Sequence, residues 1–284
     1  MRIYSRKTVF ADLSRTSEEM FRVTEAGMWF YKELFGVAYP FRKYDQIFCP
    51  EFNAGAMENV GCVTYNEMYL YRNEARTLAK RLRFAITNLH ELAHMWFGNL
   101  VTMKWWDDLW LNESFATFMS FLAMSSCSEI DYFHPTCWVT YNQYSFWGVS
   151  SDNLSSTHPI RNDNIASTKE AESMFDGISY GKGSAFLKQF YYMCGHEVIK
   201  QGLHKYFNKH AFQNTVLPDF VGSMADACAE IGSQHGVPSD FNLNDWCSQW
   251  LTSSGINTLM PTVEGKTLKL TQGMGLRGQN RLRK

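Results

Sequence analysis

The sequence lacks several features that would place it in a specialised class. Its 27 Lys and Arg residues balance 28 Asp and Glu residues, and the net charge of −1 predicts no surface for nucleic acid. No stretch approaches about 18 uninterrupted apolar residues, so no membrane-spanning helix is expected. The seven cysteines are odd in number and form no CxxC pair, which indicates reduced thiols and no disulfide framework.

What remains is the composition of an ordinary globular protein. Hydrophobic residues make up 45% of the 284 residues and charged residues 19%, and the chain is long enough to bury a core. The basic start lacks the apolar segment of a secretory signal. These features favour a cytoplasmic protein. A mitochondrial presequence stays open, because Asp12 is the first acidic residue.

The pattern of apolar residues predicts an α+β protein that is mostly helical. Helical segments are expected over residues 17–35, 74–98, 112–125, 171–194, 197–210, 218–231 and 244–253. Short strands are expected over 60–65 and 68–71, and extended chain follows Ile256. We therefore predict two parts, a catalytic-size domain over 1–255 and the beginning of a β-module over 256–284. The last part ends in a basic tail expected to be disordered, with Arg277, Arg281, Arg283 and Lys284.

Residues His90-Glu-Leu-Ala-His94 form an H-E-x-x-H motif inside a predicted helix. Four residues advance a helix by slightly more than one turn, so both imidazoles project from one face and can share a metal ion. Glu91 lies about 100° around the helix from His90, where it can reach water beside the metal. The alternative is a surface helix whose histidines are satisfied by other partners.

Glu113 is the candidate third ligand, and 18 residues separate it from His94. That spacing allows the first helix to end and a second helix to present the carboxylate. Two histidines and one glutamate are the ligands of catalytic zinc in thermolysin-type sites. Taken alone, Glu113 could equally be a carboxylate that stabilises the start of a helix. Its position after the H-E-x-x-H motif favours a ligand.

A second motif, Gly55-Ala56-Met57-Glu58-Asn59, lies ahead of the metal helix. Glycine permits an extended substrate to approach the backbone closely, and the Glu58 carboxylate could pair with a free α-ammonium group. Read alone, the same five residues would be a turn.

Together, the two motifs and Glu113 give a sequence that resembles the M1 family of zinc aminopeptidases, which are gluzincins related to aminopeptidase N. The resemblance runs from about Phe10 to Leu270 and is nearest to the actinomycete-type branch. It implies a thermolysin-like catalytic domain over 1–255 and one Zn²⁺ per chain, held by His90, His94 and Glu113. It also implies substrate binding by residues 55–59, with peptides that have a free N-terminus as substrates.

The segment Phe175-Asp-Gly-Ile-Ser-Tyr180 matches the part of the family that contributes a catalytic tyrosine. The resemblance therefore implies that Tyr180 donates a hydrogen bond to an oxyanion while Glu91 acts as general base. The reaction implied is hydrolysis of the first peptide bond. Without the resemblance, Tyr180 reads as a packed aromatic residue in a glycine-rich turn.

The sequence departs from the family pattern at three positions and in length. Met95 and Ser114 replace the commoner Gln and Gly, and Ser120 stands where many members carry a glutamate that orients a ligand histidine. Family members are usually several times longer, with domains before and after the catalytic one. Other chains could supply those domains, the sequence could be a fragment, or it could be a shortened paralogue. The alternative function is therefore a structural or assembly subunit of a larger complex that retains the fold.

Overall fold

The computed structural model describes residues 1–71 and 76–273, and most of them are helical. The longest helices, α1 to α4, come first and surround the centre of the molecule. The helices are α1 Phe10–Phe35, α2 Leu78–Ala93, α3 Leu109–Ser126, α4 His134–Asp152, α5 Thr168–Ala171, α6 Gly183–Cys194, α7 His196–His210, α8 Leu217–Ile231 and α9 Leu243–Leu251. No helix in these described ranges is both long and apolar enough to cross a membrane.

The strands form three small sheets. In the first, β1 (Arg2–Ser5), β2 (Asp45–Cys49) and β4 (Cys62–Asn66) are parallel, and β3 (Ala56–Met57) is antiparallel to β4 at the edge. The second pairs β5 (Val101–Met103) with β6 (Gln213–Thr215) in parallel. The third is an antiparallel hairpin of β7 (Thr258–Glu264) and β8 (Thr267–Gly273). The fold is thus mostly helical with small mixed sheets, as the sequence predicts.

Helix α2 lies between α1, α3 and the first sheet. Gly27 of α1 allows close approach, because a Cβ there would lie 2.3 Å from Leu89 of α2. The buried Asn88 side chain donates to Gln46 of β2 at 2.8 Å and to the Tyr65 hydroxyl of β4 at 3.1 Å. Buried hydrogen bonds of this kind fix orientation, since an unpaired partner would be costly. They hold α2 in register with the sheet whose edge is β3.

Several predicted boundaries are corrected by the structure. Helix α1 begins at Phe10, and Ser17 lies inside it, where its hydroxyl donates to the Ser14 carbonyl. The predicted end is confirmed, since Gly36 adopts a left-handed φ of 70° after Phe35. The strand predicted over 68–71 is wrong, because Glu67–Leu70 form a 3-10 turn. That turn begins at Asn66, whose side chain accepts from the Met68 amide.

Two further helices differ from the prediction. Helix α2 begins at Leu78 after the Thr77 cap, and the predicted start at residues 74 and 75 lies outside the described residues. Helix α4 was not predicted, because it buries few of its side chains and shows no apolar stripe. The extended chain after Ile256 is confirmed as the β7–β8 hairpin. The tail residues 274–284 lie outside the described ranges, so the division at residue 255 stays a prediction.

Candidate active site

Helix α2 presents His90 and His94 on one face, as their spacing predicts. His94 directly follows the last residue of α2 and keeps a right-handed helical conformation, with φ −59° and ψ −21°. The Nε2 atoms of the two rings are 3.0 Å apart. His94 is 1% exposed, so its ring lies inside the protein. Both imidazoles therefore point at the same small volume.

Glu113 reaches that volume from the second turn of α3. Its Oε2 atom lies 3.2 Å from His90 Nε2 and 3.5 Å from His94 Nε2. Ligands of a tetrahedral zinc ion at bond lengths near 2.05 Å are separated by about 3.3 Å. The three donor atoms therefore already stand at the separations that zinc requires, and nitrogen and carboxylate oxygen are donors it prefers.

The other ring nitrogens have partners of their own. His94 Nδ1 lies 3.0 Å from the Phe97 carbonyl oxygen, and His90 Nδ1 lies 3.3 Å from the Thr117 hydroxyl. A neutral imidazole that donates from Nδ1 leaves the Nε2 lone pair free for a metal ion. The sequence did not lead us to predict a role for Thr117, although it lies four residues after Glu113 on the same face of α3.

Two more carboxylates stand beside this group. One oxygen each of Glu58 and Glu91 and one nitrogen of His94 lie within 4.8 Å of one another. Burial lowers the pKa of His94, but the neighbouring carboxylates outweigh it and raise the pKa to about 10. Burial would raise the pKa of Glu113, yet the two histidines hold it well below its usual range. Burial and the neighbouring His94 lower the pKa of His90, so the carboxylates favour positive charge at His94 and not at both rings.

Glu91 lies deep in the same pocket and is 6% exposed. Burial raises its pKa, Glu58 and Glu113 add to the effect, and His94 opposes it. In the part of the chain that the structure describes, two sets of side chains could hold a metal ion, one formed by His90, His94 and Glu113 and the other by Glu58, Glu91 and His94. Glu91 belongs only to the second set, whereas His94 belongs to both. Glu91 thus stands next to the metal position without being required as a ligand.

Glu58 follows the edge strand β3 and is half-buried. The Asn99 side chain donates to its backbone carbonyl at 2.8 Å, which ties the strand end to the loop after α2. The Asn66 side chain donates to the Phe52 carbonyl at 2.6 Å and fixes the loop before β3. These two contacts hold the backbone around Glu58, whose carboxylate lies near that of Glu91 and near the ring of His94.

The other residues of the 55–59 motif occupy different surroundings. Gly55 and Ala56 line the cavity, and a Cβ at Gly55 would lie 3.1 Å from the Tyr69 hydroxyl. Met57 is 43% exposed. The Asn59 side chain donates to the Thr64 hydroxyl at 3.2 Å, so its observed contact supports the turn between β3 and β4. Substrate binding by these residues stays a prediction.

Tyr180 lies in a π-helical turn, Ile178–Lys182, that leads into α6. The Asp176 carboxylate accepts from the amides of Ile178 and Ser179 and anchors the start of that turn. The Tyr180 ring is 6.0 Å from that of His90. Burial and the nearby Glu113 raise the pKa of Tyr180, so its phenol stays protonated and can donate a hydrogen bond.

A cavity of about 220 Å³ opens beside these groups. Its walls come from the loop before β3, from α2, from α3 and α4, and from the π turn. The lining residues include Gly55, Tyr69, Ile86, Thr87, Tyr144 and Tyr180. This space has room for a side chain of a bound peptide next to His90 and Glu91.

A mostly helical domain with two imidazoles and a carboxylate converging beside a buried glutamate has the arrangement of zinc hydrolases. Residues 20–262 match the peptidase family M1 domain, and the chain belongs to that family.

Several named proteins are similar to most of this chain. The chain is 43% identical to aminopeptidase N of Streptomyces lividans over 92% of this chain and 29% of that protein. It is 37% identical to tricorn protease-interacting factor F2 of Thermoplasma volcanium, over 88% of this chain and 30% of that protein. It is 34% identical to human endoplasmic reticulum aminopeptidase 1, over 88% and 28% respectively. The chain thus spans less than a third of the length of these relatives.

Proposed function

We propose that this chain is the catalytic unit of a zinc-dependent aminopeptidase that hydrolyses the N-terminal peptide bond of peptides. One observation carries the proposal. The donor atoms of His90, His94 and Glu113 lie 3.0 to 3.5 Å apart, at zinc-ligand separations, with Glu91 beside them. Membership of peptidase family M1 and relatives named as aminopeptidases support the same reaction.

His90, His94 and Glu113 would hold the zinc ion, which supplies Lewis acidity for a carbonyl and for water when it is bound. Glu91 takes a proton from the attacking water and delivers it to the leaving amine. The raised pKa of its buried carboxyl group favours the protonated form that delivers the proton, and the positive charge of a bound zinc ion would favour the carboxylate that accepts it. Tyr180 donates its phenol hydrogen bond to the oxygen on which negative charge develops.

Glu58 makes the proposed reaction an exopeptidase reaction. A carboxylate at the end of the edge strand β3 can pair with the α-ammonium group of a peptide, and the pairing places the first peptide bond over the cluster. A peptide bond further along the chain has no charge for Glu58 to hold. The free edge of β3 also offers backbone groups to an extended substrate.

The experiment is to load the purified chain with zinc and follow the cleavage of aminoacyl-4-nitroanilides. We expect about one zinc per chain and chelator-sensitive release of nitroaniline. N-acetylated versions of the same compounds should not be cleaved. A zinc-loaded chain that cleaves no aminoacyl-arylamide would refute the proposed activity.

An assembly subunit without activity is the second function considered. It does not account for the convergence of Glu91 and Tyr180 on the metal position, because an inactive subunit would need neither a general base nor a donor to an oxyanion. An active enzyme could have partner chains that complete its cleft. We propose partner chains in that role and not as evidence for an inactive subunit. We propose a cytoplasmic location because the cysteine pattern indicates reduced thiols.

A further inference from the structure

We propose that Thr117 is the positioning residue for the metal ligand His90, and that its hydroxyl replaces the carboxylate found in many zinc sites. The proposal rests on the proposed zinc site and deepens it. Its starting observation is the 3.3 Å contact between the Thr117 hydroxyl and His90 Nδ1.

The two ligand histidines are held in different ways. His94 Nδ1 faces the Phe97 backbone carbonyl, which no side-chain substitution removes. His90 Nδ1 faces a side chain, and the His90 side chain is 14% exposed where that of His94 is 1% exposed. His90 is therefore the more exposed of the two ligands, and Thr117 supplies the side-chain partner of its Nδ1.

Metal binding sets the direction of this hydrogen bond. When His90 Nε2 gives its lone pair to zinc, the ring proton of the neutral imidazole must sit on Nδ1. Nδ1 then donates and the Thr117 oxygen accepts. If the hydroxyl donated instead, Nε2 would carry the proton and could not bind the metal. Acceptance by Thr117 thus selects the tautomer that binds zinc.

The position of Thr117 on α3 supports this role. It lies one helical turn after Glu113, so one face of α3 supplies both a ligand and the group that orients another. Thr117 is 1% exposed. Ser120 does not compete, because its hydroxyl donates to the Thr117 backbone carbonyl at 2.8 Å. Ser120 therefore provides a matched control on the same helix.

The test compares zinc affinity, by competition with a chromogenic chelator, in wild type, Thr117→Val, Thr117→Ser and Ser120→Ala. Loss of an outer partner of a ligand histidine costs about 10-fold to 100-fold in metal affinity. For Thr117→Val we expect about a 10-fold loss, because the lost partner is neutral. Thr117→Ser should restore the affinity, and Ser120→Ala should match wild type.

Nitrogen NMR of zinc-loaded protein labelled at histidine gives a second readout that does not depend on turnover. The His90 Nδ1 proton should be protected from solvent exchange in wild type and Thr117→Ser, and should lose that protection in Thr117→Val. Wild-type zinc affinity in Thr117→Val would overturn the proposal. So would an equal loss in Thr117→Ser and Thr117→Val, because Thr117→Ser keeps the hydroxyl and its loss could not come from the missing hydrogen bond. Failure of wild type to bind zinc would instead refute the proposed function.

Discussion

The two sides of the cleft are built differently. The side proposed to hold the metal, called the metal side, is made from α2 and α3, and its residues His94, Glu91 and Glu113 are at most 6% exposed. The side proposed to hold the substrate amine, called the amine side, is made from the edge strand β3 and its loops, and Gly55, Met57 and Asn59 are exposed. Burial and helix packing fix the first, whereas a few hydrogen bonds to the backbone fix the second.

The comparison shows how the chemistry and the selectivity of the site are separated. Changes on the metal side should affect turnover or metal binding whatever the substrate is. Changes on the amine side should affect only substrates that present a free amine. Glu91→Gln and Glu58→Gln test this separation directly. Two further substitutions, at Ser114 and His158, test contacts that support the turn around Tyr180, and the four follow in order of decreasing effect.

Glu91→Gln should have the largest effect on turnover. It keeps the size of the side chain but removes the group that accepts a proton, so kcat should fall about 10²-fold to 10⁴-fold. Zinc content should stay near that of wild type, because His90, His94 and Glu113 are unchanged. Stopped assays together with metal analysis measure both quantities. Retention of wild-type kcat would contradict the role of Glu91.

Glu58→Gln should act mainly on substrates with a free amine. A hydrogen bond to a charged group contributes about 1.5–3 kcal/mol, which corresponds to about a 10-fold to 100-fold loss in kcat/KM. Zinc affinity should change little. If the Glu58→Gln variant lost its zinc but still discriminated against N-acetylated substrates, the proposed separation between the two sides of the cleft would be wrong.

Ser114→Ala should have a moderate effect through Tyr180. The buried Ser114 hydroxyl donates to the Ser179 carbonyl, directly before Tyr180, and so joins α3 to the π turn. Losing one such hydrogen bond costs about 1 kcal/mol, and we expect a loss in kcat of about 5-fold or less. Ser125→Ala is the control, because that hydroxyl bonds only within α3. Equal kinetics for both variants would argue against the link.

His158→Gln should have the smallest effect, and only on the pH dependence of stability. Burial lowers the pKa of His158, but its bonds to Asp176 and the Pro159 carbonyl outweigh burial and raise the net pKa. Because the folded-state pKa lies above the unfolded value, protonated His158 stabilises the fold at low pH. That contribution is fully present below about pH 6.5 and is lost as pH rises through the folded-state pKa.

Thermal unfolding across that pH window checks the prediction. His158→Gln should lower the stability on the acid side of the window and converge with wild type on the alkaline side. His235→Gln, at an exposed position, is the control and should follow wild type throughout. A constant difference between His158→Gln and wild type at every pH would exclude a titrating pair.

The convergence of His90, His94 and Glu113 could be predicted from the sequence because local geometry determines much of it. A four-residue spacing on a helix brings His90 and His94 together wherever the helix lies, and the spacing to Glu113 leaves room for α2 to end, for β5 to follow and for α3 to begin. Ends of helices were less predictable. Ser17 is an acceptable first residue for a helix, but α1 begins at Phe10, and Leu13 and Thr16 ahead of Ser17 are buried.

Contacts made by the tertiary fold could not be read from spacing. Thr117 and Ser114 are ordinary small polar residues in a buried helix, and their partners come from distant segments of the chain. The π turn around Tyr180 depends on Asp176 and on Gly183, where a Cβ would collide with the Ser114 hydroxyl at 2.0 Å. The family resemblance, and no local pattern, singled out Tyr180.

The most direct test of the account is zinc-edge anomalous scattering from crystals of the wild-type chain grown with equimolar zinc. The account predicts one peak at about 2.0–2.2 Å from His90 Nε2, His94 Nε2 and a Glu113 oxygen. A peak held by Glu58, Glu91 and His94, the other group able to bind a cation among the described residues, would contradict it.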